Sequence, residues 1–113
     1  MAKRPHWTCG LRVWLETDGH VVLGRGRVEL LEAIQRHHSI RRAAASLGMS
    51  YRRAWLLVQS INSACETHLV EATKGGTSGG GAIVTPFGKE TIRRFHVLDR
   101  ALHAAATRVL KRL

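Results

Sequence analysis

Arginine residues crowd the middle of this sequence and give it its most distinctive chemistry. Of the 18 basic residues 14 are arginine, against 8 acidic residues, and the formal net charge is +10. No Asp or Glu occurs between Glu32 and Glu66, whereas that stretch holds Arg36, Arg41, Arg42, Arg52, Arg53, His37 and His38. Guanidinium groups bind phosphates and guanine edges through paired hydrogen bonds. The sequence therefore predicts a polyanionic partner: nucleic acid, an anionic membrane or an acidic protein.

The other residues that could do chemistry do not predict catalysis. Among the seven histidines, His37–His38 are adjacent, and His96 and His103 are separated by seven positions with no pair of carboxylates nearby. Cys9 and Cys65 lie 56 positions apart, which fits neither a metal site nor a disulfide framework. No nucleophile and base stand out as a pair. We therefore expect no enzyme activity, no metal and no cofactor.

Length and composition indicate one small globular domain. The chain has 113 residues, of which 44% are hydrophobic and 23% charged, both ordinary values for a folded domain. No apolar run approaches the roughly 20 residues that a membrane span needs. The basic N-terminus is followed by no apolar stretch, so we expect no signal peptide and a cytoplasmic location. Residues 1–10 are expected to form a flexible tail.

Three short helices are predicted to hold the arginines. Apolar residues at helical spacing indicate a first helix over residues 27–37. Ser39 is a natural N-cap for a second helix, which stops at Gly48. Ser50 caps a third helix. Two short helices joined by such a turn are typical of a helix-turn-helix, in which the start of the second helix meets base edges in the major groove. That start here is Ser50, Tyr51, Arg52 and Arg53, although a helical hairpin inside a bundle would give the same pattern.

Strands are predicted on both sides of these helices. Alternation from Leu11 and the turn pair Asp18–Gly19 indicate an N-terminal hairpin. Later, strand-like residues 69–73 and 82–85 flank a loop, residues 74–81, with five glycines. A hairpin after the recognition helix is the wing of a winged helix, and glycines let its backbone approach phosphates closely. The glycine spacing does not fit a nucleotide-binding phosphate loop, and a flexible linker is the alternative.

The last predicted element is one long helix over residues 86–113. Five of its residues follow the three-and-four spacing of a helix-pairing seam: Phe95, Leu98, Leu102, Ala105 and Val109. At 1.5 Å per residue the helix would span about 40 Å, which exceeds what so small a domain needs for its own core. We therefore predict that it pairs with a second copy of the chain, the alternative being a helix that only covers the monomer.

Several segments, taken together, resemble one known family. They are Leu30–Ile34, Ser39–Ala44, Met49–Trp55, Leu69–Glu71, the glycines at 75, 76 and 79–81, and Val84–Gly88. In these segments the chain resembles the N-terminal DNA-binding domain of the molybdate-dependent regulators of the ModE family, which is similar to the DNA-binding half of LysR-type regulators. The resemblance implies a mainly α fold with small β (α+β). Residues 11–85 would form a winged helix-turn-helix, and residues 86–113 would form the interface of a homodimer on a palindromic operator.

The pattern and the resemblance together predict which residues contact double-stranded DNA. The predicted DNA-binding residues are Ser39, Arg41, Arg42, Ser50, Tyr51, Arg52, Arg53, Gln59, Lys74, Gly75, Gly76, Thr77 and Ser78. The predicted dimer interface is the seam named above. Trp55 matches a family tryptophan that is expected to support the helix rather than to read bases.

The sequence also departs from the family pattern. The family usually has glycine where His38 stands, so a left-handed backbone is expected there at some energetic cost. Arginine often follows Leu-Val-Glu, where this chain has Ala72, with Lys74 two positions on. Because the chain stops at Leu113, without the family's molybdate-binding domains, we expect DNA binding without a molybdate sensor. Its control by an effector or a protein partner is left open, since the sequence identifies neither. The alternative function is an architectural or interaction module with little preference between a palindromic site and random DNA.

Overall fold

Four helices and two small hairpins make up the part of the chain that the structure, a computed structural model, describes, residues 3–76 and 79–112. In chain order the elements are β1 (Trp14–Thr17), β2 (His20–Gly24), α1 (Arg25–His37), α2 (Ile40–Ser46), α3 (Tyr51–Ser63), β3 (Val70–Gly76), β4 (Gly79–Val84) and α4 (Pro86–Leu110). β1 pairs with β2 and β3 with β4, each as a separate antiparallel sheet. The predicted mainly α fold with small β, a winged helix with an N-terminal hairpin and a long C-terminal helix, is confirmed.

The N-terminal hairpin turns where the sequence predicts it. Asp18 and Gly19 form a two-residue turn with φ values of 50° and 79°, the combination that such tight turns require. β1 begins at Trp14 and not at Leu11, so the predicted start of the strand was wrong. Trp14 pairs with Gly24, the last residue of β2, and α1 begins immediately afterwards. The alternating residues before Trp14 therefore have no partner strand.

Helix α1 lies at the centre of the core. It begins two residues earlier than predicted and buries Val28, Leu30, Leu31, Ala33 and Ile34. Helix α2 packs on it through the small side chains of two alanines, Ala43 and Ala44, which are 0% and 1% exposed. Gly48 then takes a φ of 68°, which lets the chain turn sharply between α2 and α3.

A buried threonine joins the second hairpin to α4. The Thr85 hydroxyl accepts a hydrogen bond from the Gly88 amide at 3.0 Å, which caps the helix, and donates one to the His68 carbonyl at 2.8 Å. Pro86 follows in the first turn, where a missing amide costs nothing. The 25 residues of α4 correspond to a length of about 38 Å. The described chain measures 70 × 30 × 20 Å, because α4 extends beyond the core.

Residues 3–13, here called the N-terminal arm, have no regular secondary structure, and they line two clefts together with residues of α4. Arg4 to Cys9 line a cavity of about 650 Å³ together with residues of the last turns of α4, among them His103, Ala106 and Leu110. The described part of the expected tail, residues 3–10, thus has no regular secondary structure and is exposed. None of the described helices combines the length and the apolar character needed to cross a membrane.

Candidate nucleic-acid interface

The start of α3 is built by a serine cap. Ser50 has extended backbone, and its hydroxyl accepts a hydrogen bond from the Arg53 amide at 3.1 Å. The first turn that follows contains no acidic residue. A helix start concentrates unpaired amide groups and the positive end of the helix dipole. Tyr51, Arg52 and Arg53 are exposed at this start, which makes it suited to a phosphate or to the edge of a base.

Helix α3 has one buried face and one open face. Ala54, Val58 and Ile61 are at most 2% exposed. The opposite face consists of four exposed residues at spacings of four, three and four, and we call it the recognition face: Arg52, Leu56, Gln59 and Ser63. Because the core holds the other side of the helix, this face is free to enter a groove of about the width of a helix.

Tyr51 is positioned by an arginine of the preceding helix. The guanidinium carbon of Arg41 in α2 lies 4.3 Å from the centre of the Tyr51 ring, the geometry of a cation–π contact. Tyr51 keeps 40% of its surface exposed. The contact fixes the tyrosine at the entrance to α3 and places the Arg41 charge directly beside it.

The arginines around this site carry uncompensated charge. Within residues 3–76 and 79–112, the ion pairs involve Arg25, Arg93, Arg94, His96 and His103, and no carboxylate lies within 4.0 Å of the arginine pairs 41–42 and 52–53. The acid-free stretch of the sequence therefore becomes one exposed, positively charged surface formed by α2 and the start of α3.

The start of α2 has the same construction as that of α3. The Ser39 hydroxyl accepts from the Arg42 amide at 3.1 Å, as its place in the sequence predicts. Arg41 and Arg42 are exposed, and Ser39 is partly buried. The two predicted arginines thus lie on the surface, and the hydroxyl of Ser39 is used within the helix.

An asparagine that no sequence motif marks ties the wing, the β3–β4 hairpin, to α3. The Asn62 side-chain oxygen accepts hydrogen bonds from the amides of Leu69 and Val70 at 2.9 and 3.2 Å, and its amide group donates to the Val70 carbonyl at 2.9 Å. These bonds replace a neighbouring strand at the edge of β3. They fix the wing relative to the recognition face.

The base of the wing is held against the end of α1. His38 has a left-handed backbone with φ 53°, which confirms the expected conformation, and its carbonyl accepts from the Ala82 amide at 3.0 Å. A Cβ atom on Gly81 would lie 2.7 Å from the same carbonyl oxygen and 2.7 Å from the Thr73 hydroxyl. Gly81 is therefore required by close packing inside the protein.

The tip of the wing differs in extent from the predicted loop. β3 continues to Gly76 and β4 starts at Gly79, with Gly76 opposite Gly79, so all five glycines of the predicted loop belong to the strands. Lys74 is exposed on β3. The DNA contacts predicted for Thr77 and Ser78 lie outside the described residues.

One residue of the predicted dimer seam on α4 lies in the protein core. Phe95 is 3% exposed and belongs to the core cluster, so assigning it to a dimer interface was wrong. The first turns of α4 pack against the chain's own core, whereas Leu98, Leu102 and Val109 remain 37%, 39% and 61% exposed. With the partly buried Ala105 they form one apolar line, here called the outer seam.

Trp55 and Leu56 are both exposed residues of α3. Trp55 keeps 43% of its surface exposed and lines a cleft of about 560 Å³ between α3 and β3, and its expected role in supporting the helix stays a prediction. The neighbouring Leu57 is partly buried and packs against the core. Leu56 was left out of the predicted site, although its spacing of four from Arg52 and three from Gln59 gave the signal.

A capped recognition helix, an open basic surface and a β-hairpin wing together define a winged helix-turn-helix protein. A family model described as a bacterial regulatory helix-turn-helix protein of the lysR family matches residues 26–89, more than half of the chain. The chain belongs to this family of transcriptional regulators.

Its relatives confirm the resemblance to ModE proteins. The molybdenum-pterin-binding protein MopA of Rhodobacter capsulatus is 44% identical over 80% of this chain and 34% of its own length. The molybdenum transport protein ModE of Azotobacter vinelandii is 35% identical over 90% of this chain and 38% of its length. The DNA-binding transcriptional dual regulator ModE of Escherichia coli K12 is 38% identical over 64% of this chain and 28% of its own length. The chain spans about a third of the length of these relatives.

Proposed function

We propose that this chain is a sequence-specific regulator of transcription that binds double-stranded DNA as a homodimer on a palindromic operator. Helix α3 enters the major groove with its recognition face, and the wing lies along the flanking backbone. The observation that carries the proposal is the row of exposed arginines, free of carboxylate partners among the described residues, at the start of a capped helix.

The roles of the basic residues divide by position. Arg52, exposed on the recognition face, contacts a base edge, whereas Lys74, exposed on the wing, contacts a phosphate. Arg41 and Arg42 flank the groove from α2. Such phosphate contacts release counterions, so the affinity falls steeply with salt concentration.

The outer seam supports the homodimer. It presents apolar side chains at coiled-coil spacing on a helix that extends beyond the core. Leu102 and Val109 are exposed, and the N-terminal arm shares a cavity with the neighbouring residues His103, Ala106 and Leu110. A two-fold pair of α4 helices would present two copies of α3 to successive turns of the same side of a duplex, about 34 Å apart.

Selection of bound DNA from a random pool tests the DNA-binding proposal. A two-fold symmetric consensus is expected, and Arg52→Ala is expected to weaken binding to it by about 1–3 kcal/mol and to relax specificity at one position. Lys74→Ala should weaken binding to every sequence alike. Arg100→Ala removes the same charge from the exposed side of α4 that faces away from the outer seam and should leave the affinity nearly unchanged.

The outcomes separate the two candidate functions. Equal affinity for the selected site and random DNA, or equal losses in Arg52→Ala and Arg100→Ala, would contradict specific recognition and favour an architectural module.

Sedimentation velocity tests the homodimer. Leu102→Asp places a charge in the outer seam and is expected to yield monomers that bind a single half-site. Val97→Asp, at an apolar site on another side of α4 that is 46% exposed against 39% for Leu102, should remain dimeric. A dimer that persists in Leu102→Asp would contradict pairing through this seam.

A further inference from the structure

Leu56 is an apolar residue in the middle of a polar recognition face. It is 49% exposed, and it lies one turn after Arg52 and three residues before Gln59. The apolar residues that fold α3 onto the core, among them Val58 and Ile61, lie on the other side. Leu56 therefore contributes little to folding, and its side chain faces the same direction as the groups placed to contact DNA.

The chemistry of leucine restricts what it can recognise there. The side chain has no donor or acceptor, so it adds nothing to a hydrogen bond with a base edge or a phosphate. In the major groove the apolar feature of the four base pairs is the 5-methyl group of thymine. A contact between two apolar groups removes both from water, which makes thymine preferable to bases that lack the methyl group.

We propose that Leu56 binds the 5-methyl group of one thymine in each operator half-site and so determines specificity at that position. The inference rests on the proposed function, because it requires α3 in the major groove. Leu56 follows Arg52 by four residues, about 6 Å along the helix axis, and base pairs rise about 3.4 Å each. The thymine therefore lies about two base pairs from the base that Arg52 contacts.

Deoxyuridine provides the direct test, because it pairs like thymine and lacks only the methyl group. Each thymine of the selected operator is replaced in turn, symmetrically in both half-sites, and affinity is measured by fluorescence anisotropy. One replacement is expected to weaken wild-type binding by about fourfold per half-site, the factor that one buried methyl group supplies. Leu56→Ala should bind the thymine and deoxyuridine duplexes equally.

Two variants make the test specific. Leu56→Met keeps an apolar side chain of similar volume and should retain the preference for thymine. Val97→Ala truncates an exposed apolar side chain on α4 and should leave the preference at its wild-type value. Thermal unfolding of Leu56→Ala should stay close to that of wild type, since the residue is half exposed.

The results separate failure of this inference from failure of the proposed function. If wild type selects a site but shows no sensitivity to any deoxyuridine, or if Leu56→Ala keeps the full thymine preference, the assignment of Leu56 is overturned and operator binding stands. An affinity gain on methylating a cytosine, without a deoxyuridine effect, would overturn thymine as the target. If wild type selects no site at all, both proposals fall.

Discussion

Replacing Asn62 by alanine removes the three hydrogen bonds that join α3 to the first strand of the wing. Their backbone partners belong to Leu69 and Val70, which are 0% and 3% exposed, so these groups lose their partners inside the protein. Each bond contributes about 0.5–1.5 kcal/mol, and a partner left unsatisfied costs about 1–3 kcal/mol. Because Asn62 itself is only partly buried, water can reach some of these groups. We therefore expect the free energy of unfolding to fall by about 2–3 kcal/mol.

Equilibrium urea unfolding followed by circular dichroism measures this loss. Asn62→Asp keeps both accepted bonds but cannot donate to the Val70 carbonyl when ionised, so its loss should be intermediate at pH 7. Gln59→Ala is the matched control, since Gln59 is exposed on the same helix and its truncation should change stability by less than about 0.5 kcal/mol. If Asn62→Ala unfolds at the same urea concentration as Gln59→Ala, the wing is not held by this side chain and the reasoning is wrong.

Three further predictions concern stability, each read from urea or thermal unfolding. His38→Gly should stabilise the protein by about 1 kcal/mol, because it relieves the backbone strain of a non-glycine residue in the left-handed conformation. His37→Gly, inside α1, should destabilise the protein. A loss of stability in both variants would contradict strain at His38. Thr85→Val removes the helix cap and the hydrogen bond to the His68 carbonyl, and it should lower the free energy of unfolding by about 1–2 kcal/mol. Thr85→Ser keeps the hydroxyl and should stay close to wild type. Equal losses of stability in the two variants would indicate that packing matters instead of the hydroxyl. Hydrogen bonds from two arginines lower the pKa of Glu90 from 4.5 to about 2, so its stabilisation is present above pH 4.5 and lost as pH falls through 2. Glu90→Gln should therefore show a shallower fall in melting temperature over that range, small in size because the pair is exposed, and parallel curves would refute it.

Features set by adjacent residues were predictable from the sequence. The Asp18–Gly19 turn, the caps at Ser39 and Ser50 and the first-turn position of Pro86 all depend on backbone geometry within a few residues. The left-handed conformation of His38 also follows from its place after a helix. These local signals located the helix-turn-helix and the start of the recognition helix. They thereby located the exposed arginines at the starts of α2 and α3.

Features set by distant contacts were not predictable. Asn62 looks like any polar residue on a helix until β3 is placed beside it, and the need for glycine at Gly81 arises from the carbonyl of His38. Apolar and polar residues do alternate before Trp14, but β2 ends at Gly24, which pairs with Trp14. The length of β2 therefore decides where strand pairing begins. A pattern along one segment carries no information on which other segment reaches it.

The division of α4 shows why the seam spacing alone misplaced Phe95. A three-and-four spacing identifies one side of a helix, but it does not say what covers that side along its length. Phe95 is packed in the core and 3% exposed, whereas Leu98 and Leu102, on the same predicted seam, are 37% and 39% exposed. Two copies that pair through the exposed residues of the outer seam need not disturb any buried residue of the core. Pairing then leaves both the core and the recognition helix unchanged, so a monomeric seam variant should fold normally and lose only the binding strength that a second half-site provides.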